Sequence, residues 1–388
     1  MTTELFKPLV FLAISSVLAV IFLASCNPET PPEIAASNDV LLYVGTYTGG
    51  ESEGIYVYNM NLDSGELSLK HTVSGVENPS YLAIHPDNKM LYAVNELMEL
   101  DGVPGGGVSA FSIDPENGNL SFQNQVSSNG GAPCYLSVSN DKRWLYVANY
   151  MGGNVSAHAL DKNGGLNAVA TVMQHEGTGP SSRQEAPHAH SIMPVPGTPI
   201  VLSADLGADK VIIYRADSEK GFADPKVLAV ESGAGPRHMA FHPTHNQLFV
   251  INELNATINS YQIDVESAEF TLQQSVPTLP ADFAGENTCA DLDVSPDGKF
   301  LYGTNRGHNS LVVYAIDASG RLSYVEHISC GGDWPRNFTM TPDGNYLLVA
   351  NKKSNSIVVF KRDMVSGKLK NTGISTTVPA PVCLAFLE

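Results

Sequence analysis

Six times along the chain a short apolar stretch, a polar turn and a second, almost wholly apolar stretch follow one another. The copies read YLAIHPDNKMLYAVNE from Tyr81, YLSVSNDKRWLYVANY from Tyr135, HSIMPVPGTPIVLSADL from His190, HMAFHPTHNQLFVINE from His238, DLDVSPDGKFLYGTNR from Asp291 and NFTMTPDGNYLLVANK from Asn337. A seventh opening stretch, CLAFLE, begins at Cys383. Within the unit from Tyr81 to Ser127, the segments YLAI, LYAVN, GVSAFSID and LSFQNQV are separated by a Pro-Asp turn, a Gly-rich loop and Asn117-Gly118. Pro presets φ and Asn or Gly tolerates positive φ, so these breaks are tight reversals and each unit is an antiparallel meander. The first two segments are apolar on both faces, as inner strands covered on both sides would be, and the outer two alternate.

A recurrence of roughly 45 to 55 residues with four strands per unit predicts an all-β fold, a β-propeller. The chain ends supply the count. LLYVGTY at Leu41 reads as a second strand lacking its first, followed by GIYVYNM and ELSLKHTV as third and fourth. CLAFLE provides the missing strand, so a seven-bladed β-propeller over residues 40–388 is expected, its last blade closed by the C-terminal strand, which leaves no open edge.

Upstream, an apolar run from Leu9 to Ala24 leads into Leu23-Ala24-Ser25-Cys26, the lipobox pattern of bacterial lipoproteins. It is short for a membrane span and suited to a signal-peptide core. The sequence thus predicts a lipoprotein signal peptide over residues 1–25, lipid on Cys26 as the contact with the membrane, and a Pro-rich flexible tether over residues 26–39. Asn27 lacks the aspartate associated with inner-membrane retention, so an outer-membrane or periplasmic-face envelope lipoprotein is expected. The leading region departs from the usual pattern in holding only Lys7 as a cation, offset by Glu4, which keeps an uncleaved anchor as the alternative.

The net charge of −18 argues against nucleic acid and anionic membrane surfaces as partners, since either calls for basic stripes. Any anionic substrate must then be held by local arginines. Cys134, Cys289, Cys330 and Cys383 form no CxxC or zinc-like spacing and read as buried structural thiols. There is no GxSxG elbow. A monomer is the default.

Chemistry is placed by blade geometry. The first strand of a blade lines the channel and the second runs back, so first-strand starts and second-strand ends share one mouth. That mouth is expected to gather His190, Arg237 and Arg336 with Glu96, Asp205, Glu253, Arg306 and Lys352. The turns at the other end hold His85, His242 and His245, and because His85 and His242 fill the slot of Ser295 and Thr341 they read as turn formers. His188, His190, Asp205 and Glu253 are metal-ligand types, but two arginines beside them disfavour a divalent cation, so neither metal nor cofactor is expected.

Pro187-His188-Ala189-His190-Ser191, Ala204-Asp205-Leu206-Gly207, Gly235-Pro236-Arg237-His238 and Val250-Ile251-Asn252-Glu253 together resemble the seven-bladed lactonase family. That family contains the propeller type of 6-phosphogluconolactonase and the fungal 3-carboxy-cis,cis-muconate lactonizing enzyme. The resemblance spans nearly all of Leu41 to Leu387. It implies active-site roles for His190, Arg237 and Glu253, the last two sixteen residues apart as in the family. The second arginine is implied at Arg306, in Thr304-Asn305-Arg306-Gly307, with Arg336 competing.

Lactone hydrolysis requires a base for water, a cationic or hydrogen-bonding site for the oxyanion, and a handle for an anionic substituent. His190 and Glu253 are both candidates for the base, and Arg237 and Arg306 for substrate binding and charge stabilisation, since an arginine fork matches a carboxylate or phosphate. His188, Asp205 and Arg336 are candidate substrate-binding residues, His188 equally a residue that orients its neighbours from behind. The expected function is hydrolysis of a small anionic or sugar lactone, 6-phosphogluconolactonase-like. Export raises two alternatives, a lactonase for an unphosphorylated extracellular lactone and a non-catalytic tethered propeller binding a carbohydrate or protein. A muconate-type cycloisomerase is a further one.

Overall fold

The computed structural model describes residues 38–387, so the predicted signal peptide, Cys26 and nearly all of the tether lie outside the described residues. Seven four-stranded antiparallel sheets follow one another, and among the described residues there is no helix. Blade 1 comprises Leu82–Ile84, Met90–Asn95, Gly107–Ile113 and Leu120–Ser127. Blades 2 to 6 begin with Pro133–Val138, Ala189–Pro194, Pro236–Phe241, Thr288–Val294 and Pro335–Met340. Blade 7 joins both ends of the chain, pairing Pro381–Phe386 with Asp39–Thr46, which continues to Gly54–Asn61 and Leu67–Ser74. The expected closure is therefore observed. A small hairpin within the Gly-rich loop of blade 1, Glu99–Leu100 with Val103–Pro104, has no counterpart in the repeat and turns at Asp101-Gly102, both at positive φ.

The burial of the strands follows the pattern that predicted them. Second strands such as Met90–Asn95, Trp144–Asn149, Ile200–Asp205, Gln247–Asn252 and Tyr346–Asn351 are buried throughout, whereas fourth strands such as Leu166–Gln174 alternate. Their apolar side chains fill the spaces between neighbouring blades. Clusters such as Tyr146, Val155, Ile192, Tyr214 and Phe222 between blades 2 and 3 form the core, so each blade buries its faces only against the next.

Two recurring polar stitches fix the blades to one another. A second-strand tyrosine donates its hydroxyl to the carbonyl of a positive-φ glycine in the next blade: Tyr43 to Gly118, Tyr92 to Gly164, Tyr146 to Gly221 and Tyr302 to Gly367, at 2.8–3.0 Å. The second stitch uses an asparagine at the end of the second strand. Asn95, Asn149, Asn305 and Asn351 donate their amides to the carbonyls of Glu77, Ser128, Thr278 and Cys330, each just beyond the fourth strand of the preceding blade. These buried or part-buried bonds satisfy carbonyls that no ladder pairs.

At the far end of the channel the turn histidines behave as expected of turn formers. His242 Nδ1 accepts the backbone N–H groups of Thr244 and His245, and His85 Nδ1 lies 2.6 Å from Asp87 in its own turn.

Candidate active site

A β-bulge places the key side chains. In six blades the pairing of first and second strands slips near the start of the first strand, for instance between Ala189 and Ser191, Pro236 and His238, and Pro335 and Asn337. The residue passed over is His190, Arg237 or Arg336, with Cys134 at the same place in blade 2 and Val382 in blade 7. A bulged residue leaves the ladder and its side chain is re-aimed, here toward the mouth of the channel. The second contribution comes from the residue just after each second strand or, in blade 5, from its last residue. Around the ring these are Tyr47, Glu96, Tyr150, Leu206, Glu253, Arg306 and Lys352.

Members of these two rings wall a cavity of about 160 Å³: Tyr47, Glu96, Cys134, Tyr150, His190, Glu253, Arg306 and Arg336, joined by Arg183 from the segment between blades 2 and 3. Wider clefts exist at the turn end, one of about 640 Å³ beside His85, Asp87 and Lys142. Ionisable groups from all seven blades converge on the small cavity, which makes it the candidate site.

Glu253 is the organising group. Its side chain is 3% exposed, and its Oε2 lies 2.9 Å from both Arg237 Nε and Arg306 Nη2, while Oε1 accepts from Arg183 Nη1. The Arg237 contact is ionic rather than a directed hydrogen bond, for the Nε hydrogen does not point at the oxygen. Burial would raise the pKa of Glu253, but Arg306, Arg237 and Arg183 overcome it and hold the carboxyl down to about 2. The guanidiniums are braced from behind as well. Arg237 Nη1 donates to Ala290 O at 2.5 Å, Arg306 to Cys289 O at 2.6 Å and Thr288 O at 3.3 Å, and Arg183 to the Tyr150 hydroxyl at 2.9 Å.

His190 is buried on the opposite flank. Its Nδ1 faces the Cys134 sulfur at 3.7 Å, and the rings of Tyr150 and His238 meet it edge-on at 5.3 and 5.4 Å. Burial first, then the charge of Arg237, lowers its basicity well below the ordinary histidine value, so the imidazole is neutral at pH 7. Its Nε2 bonds no group among the described residues. Burial also pushes the Cys134 thiol up, which makes a thiolate nucleophile unavailable at neutral pH.

A third group of side chains stands across the mouth. Glu96 Oε2 accepts from the hydroxyls of Ser80 at 2.5 Å and Tyr47 at 2.8 Å, and Arg336 Nη2 lies 3.9 Å away. Arg336 and Lys352 both sit over the Tyr47 ring.

Of the residues expected at the mouth, His190, Glu96, Glu253, Arg306 and Arg336 line the cavity, and Arg237 backs it through Glu253. His188 lies one layer out, stacked on Tyr150 with ring centroids 4.4 Å apart, its Nδ1 3.0 Å from Tyr150 O. Asp205 is placed differently from the expectation. It is fully buried, outside the cavity wall, with Oδ1 accepting the N–H groups of His188 and Ala208 and Oδ2 2.7 Å from His175 Nδ1. It occupies the position of the stitching asparagines, and the residue of blade 3 that reaches the mouth ring is the next one, Leu206. Among the described residues no three His, Cys, Asp or Glu side chains gather as metal donors.

A family model described as "Lactonase, 7-bladed beta-propeller" matches residues 41–386. The chain belongs to the seven-bladed β-propeller lactonase family. It is 35% identical over 347 residues to a 6-phosphogluconolactonase of Bacillus subtilis, covering 89% of this chain and 98% of that protein. Among solved structures, the periplasmic gluconolactonase of Pseudomonas aeruginosa is similar at 36% identity and a TM-score of 0.85, over 90% of this chain and 99% of that one. A protein of Lactobacillus plantarum is similar at 33% identity and a TM-score of 0.84, over 90% and 100%.

This lactonase-family site contains residues that motif reading passed over. Tyr47 and Tyr150 share a column with Glu96 and Glu253, so aligning all the repeats would have found them. Arg183 carries no repeat signal, because it lies in the segment joining blades 2 and 3. That segment is pinned by the buried Gln184, whose amide donates to Leu206 O at 2.8 Å and Asp209 at 2.7 Å. Gly207 lets it pass close, since a Cβ there would lie 1.9 Å from Ala186 O.

Proposed function

We propose that the chain hydrolyses the ring ester of a sugar lactone at this mouth, and that the lactone carries an anionic substituent. The observation that carries the reading is the Glu253 cluster, three guanidiniums fixed around one carboxylate beside a neutral histidine. Prearranged cationic donors stabilise the oxyanion that forms when water adds to a lactone carbonyl, and they do so without reorganising. The cavity wall and its backing set Arg183, Arg237, Arg306, Arg336 and Lys352 against Glu96 and Glu253. In a chain of net charge −18 this local excess of positive charge suits a phosphate or carboxylate on the substrate. The names of the Bacillus subtilis and Pseudomonas aeruginosa relatives, 6-phosphogluconolactonase and gluconolactonase, support the substrate class.

The roles divide accordingly. Glu253, held ionised by three arginines, is a poor proton acceptor, and its part is to orient the guanidiniums. Neutral His190 offers Nε2 as a hydrogen-bonding group to the carbonyl or ring oxygen. Arg306, at the wall, serves the developing oxyanion. Arg336, the cavity guanidinium least engaged by protein carboxylates, is the handle for the anionic substituent. His188 orients Tyr150, and through it the wall around His190.

Purified protein is expected to open δ-gluconolactone or its 6-phosphate well above the spontaneous rate, and His190→Ala to lower kcat by about 10²-fold or more. Turnover at background, with ligand still bound, would leave a binding propeller instead. The apolar leader and Cys26 support export and lipid attachment at the cell envelope, and the periplasmic neighbour supports the same compartment. Cys26→Ser is then expected to move the protein from the membrane to the soluble fraction on cell fractionation, and retention in the membrane would refute lipid anchoring.

A further inference from the structure

We propose that Glu96 is the general base of the reaction, taking the proton of the attacking water through its Oε1. This rests on the lactonase reading above and adds a residue to it. Glu96 occupies the place in blade 1 that Glu253 occupies in blade 4, so two carboxylates face one cavity. They are held in opposite ways. Glu253 has both oxygens on guanidiniums, which stabilise its charge and make it a poor acceptor for a proton from water. Glu96 is gripped through one oxygen only, with the hydroxyls of Ser80 and Tyr47 on Oε2 and the Arg336 guanidinium 3.9 Å from it. Its Oε1 has no partner among the described residues.

A carboxylate steered by one oxygen and open at the other is what activation of water requires, because the grip fixes the direction of the free lone pairs. The remaining acceptor on the wall, His190, is a weak one, buried and near Arg237. The groups facing Glu96 are Tyr47, Ser80, Arg336, Lys352 and the Cys134 thiol, of which two are cations.

The step balances as follows. A lone pair of the water oxygen forms the bond to the lactone carbonyl carbon while Glu96 Oε1 takes the water proton, and the carbonyl π pair moves onto its oxygen, beside Arg306. The tetrahedral adduct then collapses, the ring C–O bond breaks with its pair going to the ring oxygen, and Glu96 returns the proton there. Water and lactone become a hydroxy acid, and the carboxylate is restored.

Glu96→Gln tests this in the full chain, since it keeps the size and a hydrogen-bonding oxygen for Ser80 and Tyr47. With δ-gluconolactone and its 6-phosphate followed by pH-stat against the spontaneous rate, kcat is expected to fall by roughly 10²- to 10⁴-fold while KM stays within about threefold. Glu96→Ala should recover about tenfold or more in rate on adding formate, as an external base enters the vacated space. A Glu96→Gln kcat within about threefold of wild type, or a raised KM with kcat kept, would overturn the assignment while leaving the lactonase reading intact. No wild-type turnover on either lactone would overturn both.

Discussion

Two adjacent rings of residues, one position apart in sequence, do different work in this propeller. At the end of each second strand stands Thr46, Asn95, Asn149, Asp205, Asn252, Asn305 or Asn351, the last residue of the strand except in blade 5, where Arg306 still belongs to it, and all of them are buried. The residue after it is Tyr47, Glu96, Tyr150, Leu206, Glu253, Arg306 or Lys352. The first ring is nearly uniform because these residues serve packing: in four blades an asparagine satisfies an unpaired carbonyl of the preceding blade, and Thr46, Asp205 and Asn252 are likewise held by buried or part-buried bonds. The second varies in size and charge because no neighbour demands anything of it, and that freedom is where the cavity is built. In a repeat protein, then, uniformity down a column marks packing, and variation in a column facing one opening marks a site.

Removing Glu253 should break the varying ring most severely. Glu253→Ala leaves two buried guanidiniums, Arg237 and Arg306, and the more exposed Arg183 without their shared anion, and we expect about 3–5 kcal/mol less stability by urea unfolding. Lactone turnover should fall by about 10²-fold or more as the donors lose their aim. Glu253→Gln, which keeps the volume, separates the two effects. The pH dependence carries its own sign. The folded carboxylate sits at about 2 against an ordinary value near 4.5, so its ionic stabilisation is fully present above about pH 4.5 and is lost as pH falls toward 2. The stability gap between wild type and Glu253→Gln should therefore narrow by on the order of 3 kcal/mol across that window. A gap independent of pH would mean that the arginines do not hold Glu253 ionised.

Much of this was legible beforehand, for physical reasons that differ by level. The seven sheets follow from a recurring apolar pattern, and the closing blade from an orphan second strand at Leu41 matched by an orphan first strand at Cys383. Convergence of His190, Glu253, Arg306 and Arg336 followed from strand direction alone. The exact column did not. A one-residue offset separates Asp205 from the mouth ring, and only the register, with Asp205 ending its strand as Asn149 does, reveals it. Arg183 was illegible because its segment stands outside the repeat, and the saturation of Glu253 because distances between blades cannot be read from spacing within them.

Asp205 offers the finer test of the comparison. In blade 3 the carboxylate bonds the side chain of His175, which lies just beyond the fourth strand of blade 2, where Ser128 lies in blade 1. Asp205→Asn gives this blade the residue that its neighbours use, whose amide can reach for a carbonyl as Asn149 does for Ser128, though the His175 ring loses its anionic partner. A loss of about 1–2 kcal/mol is expected, the value of one buried charge-assisted bond, with kcat within about threefold of wild type. If kcat instead fell tenfold or more at unchanged unfolding midpoint, Asp205 would belong to the site, and the division between the stitching ring and the mouth ring would fail at the blade that carries His190.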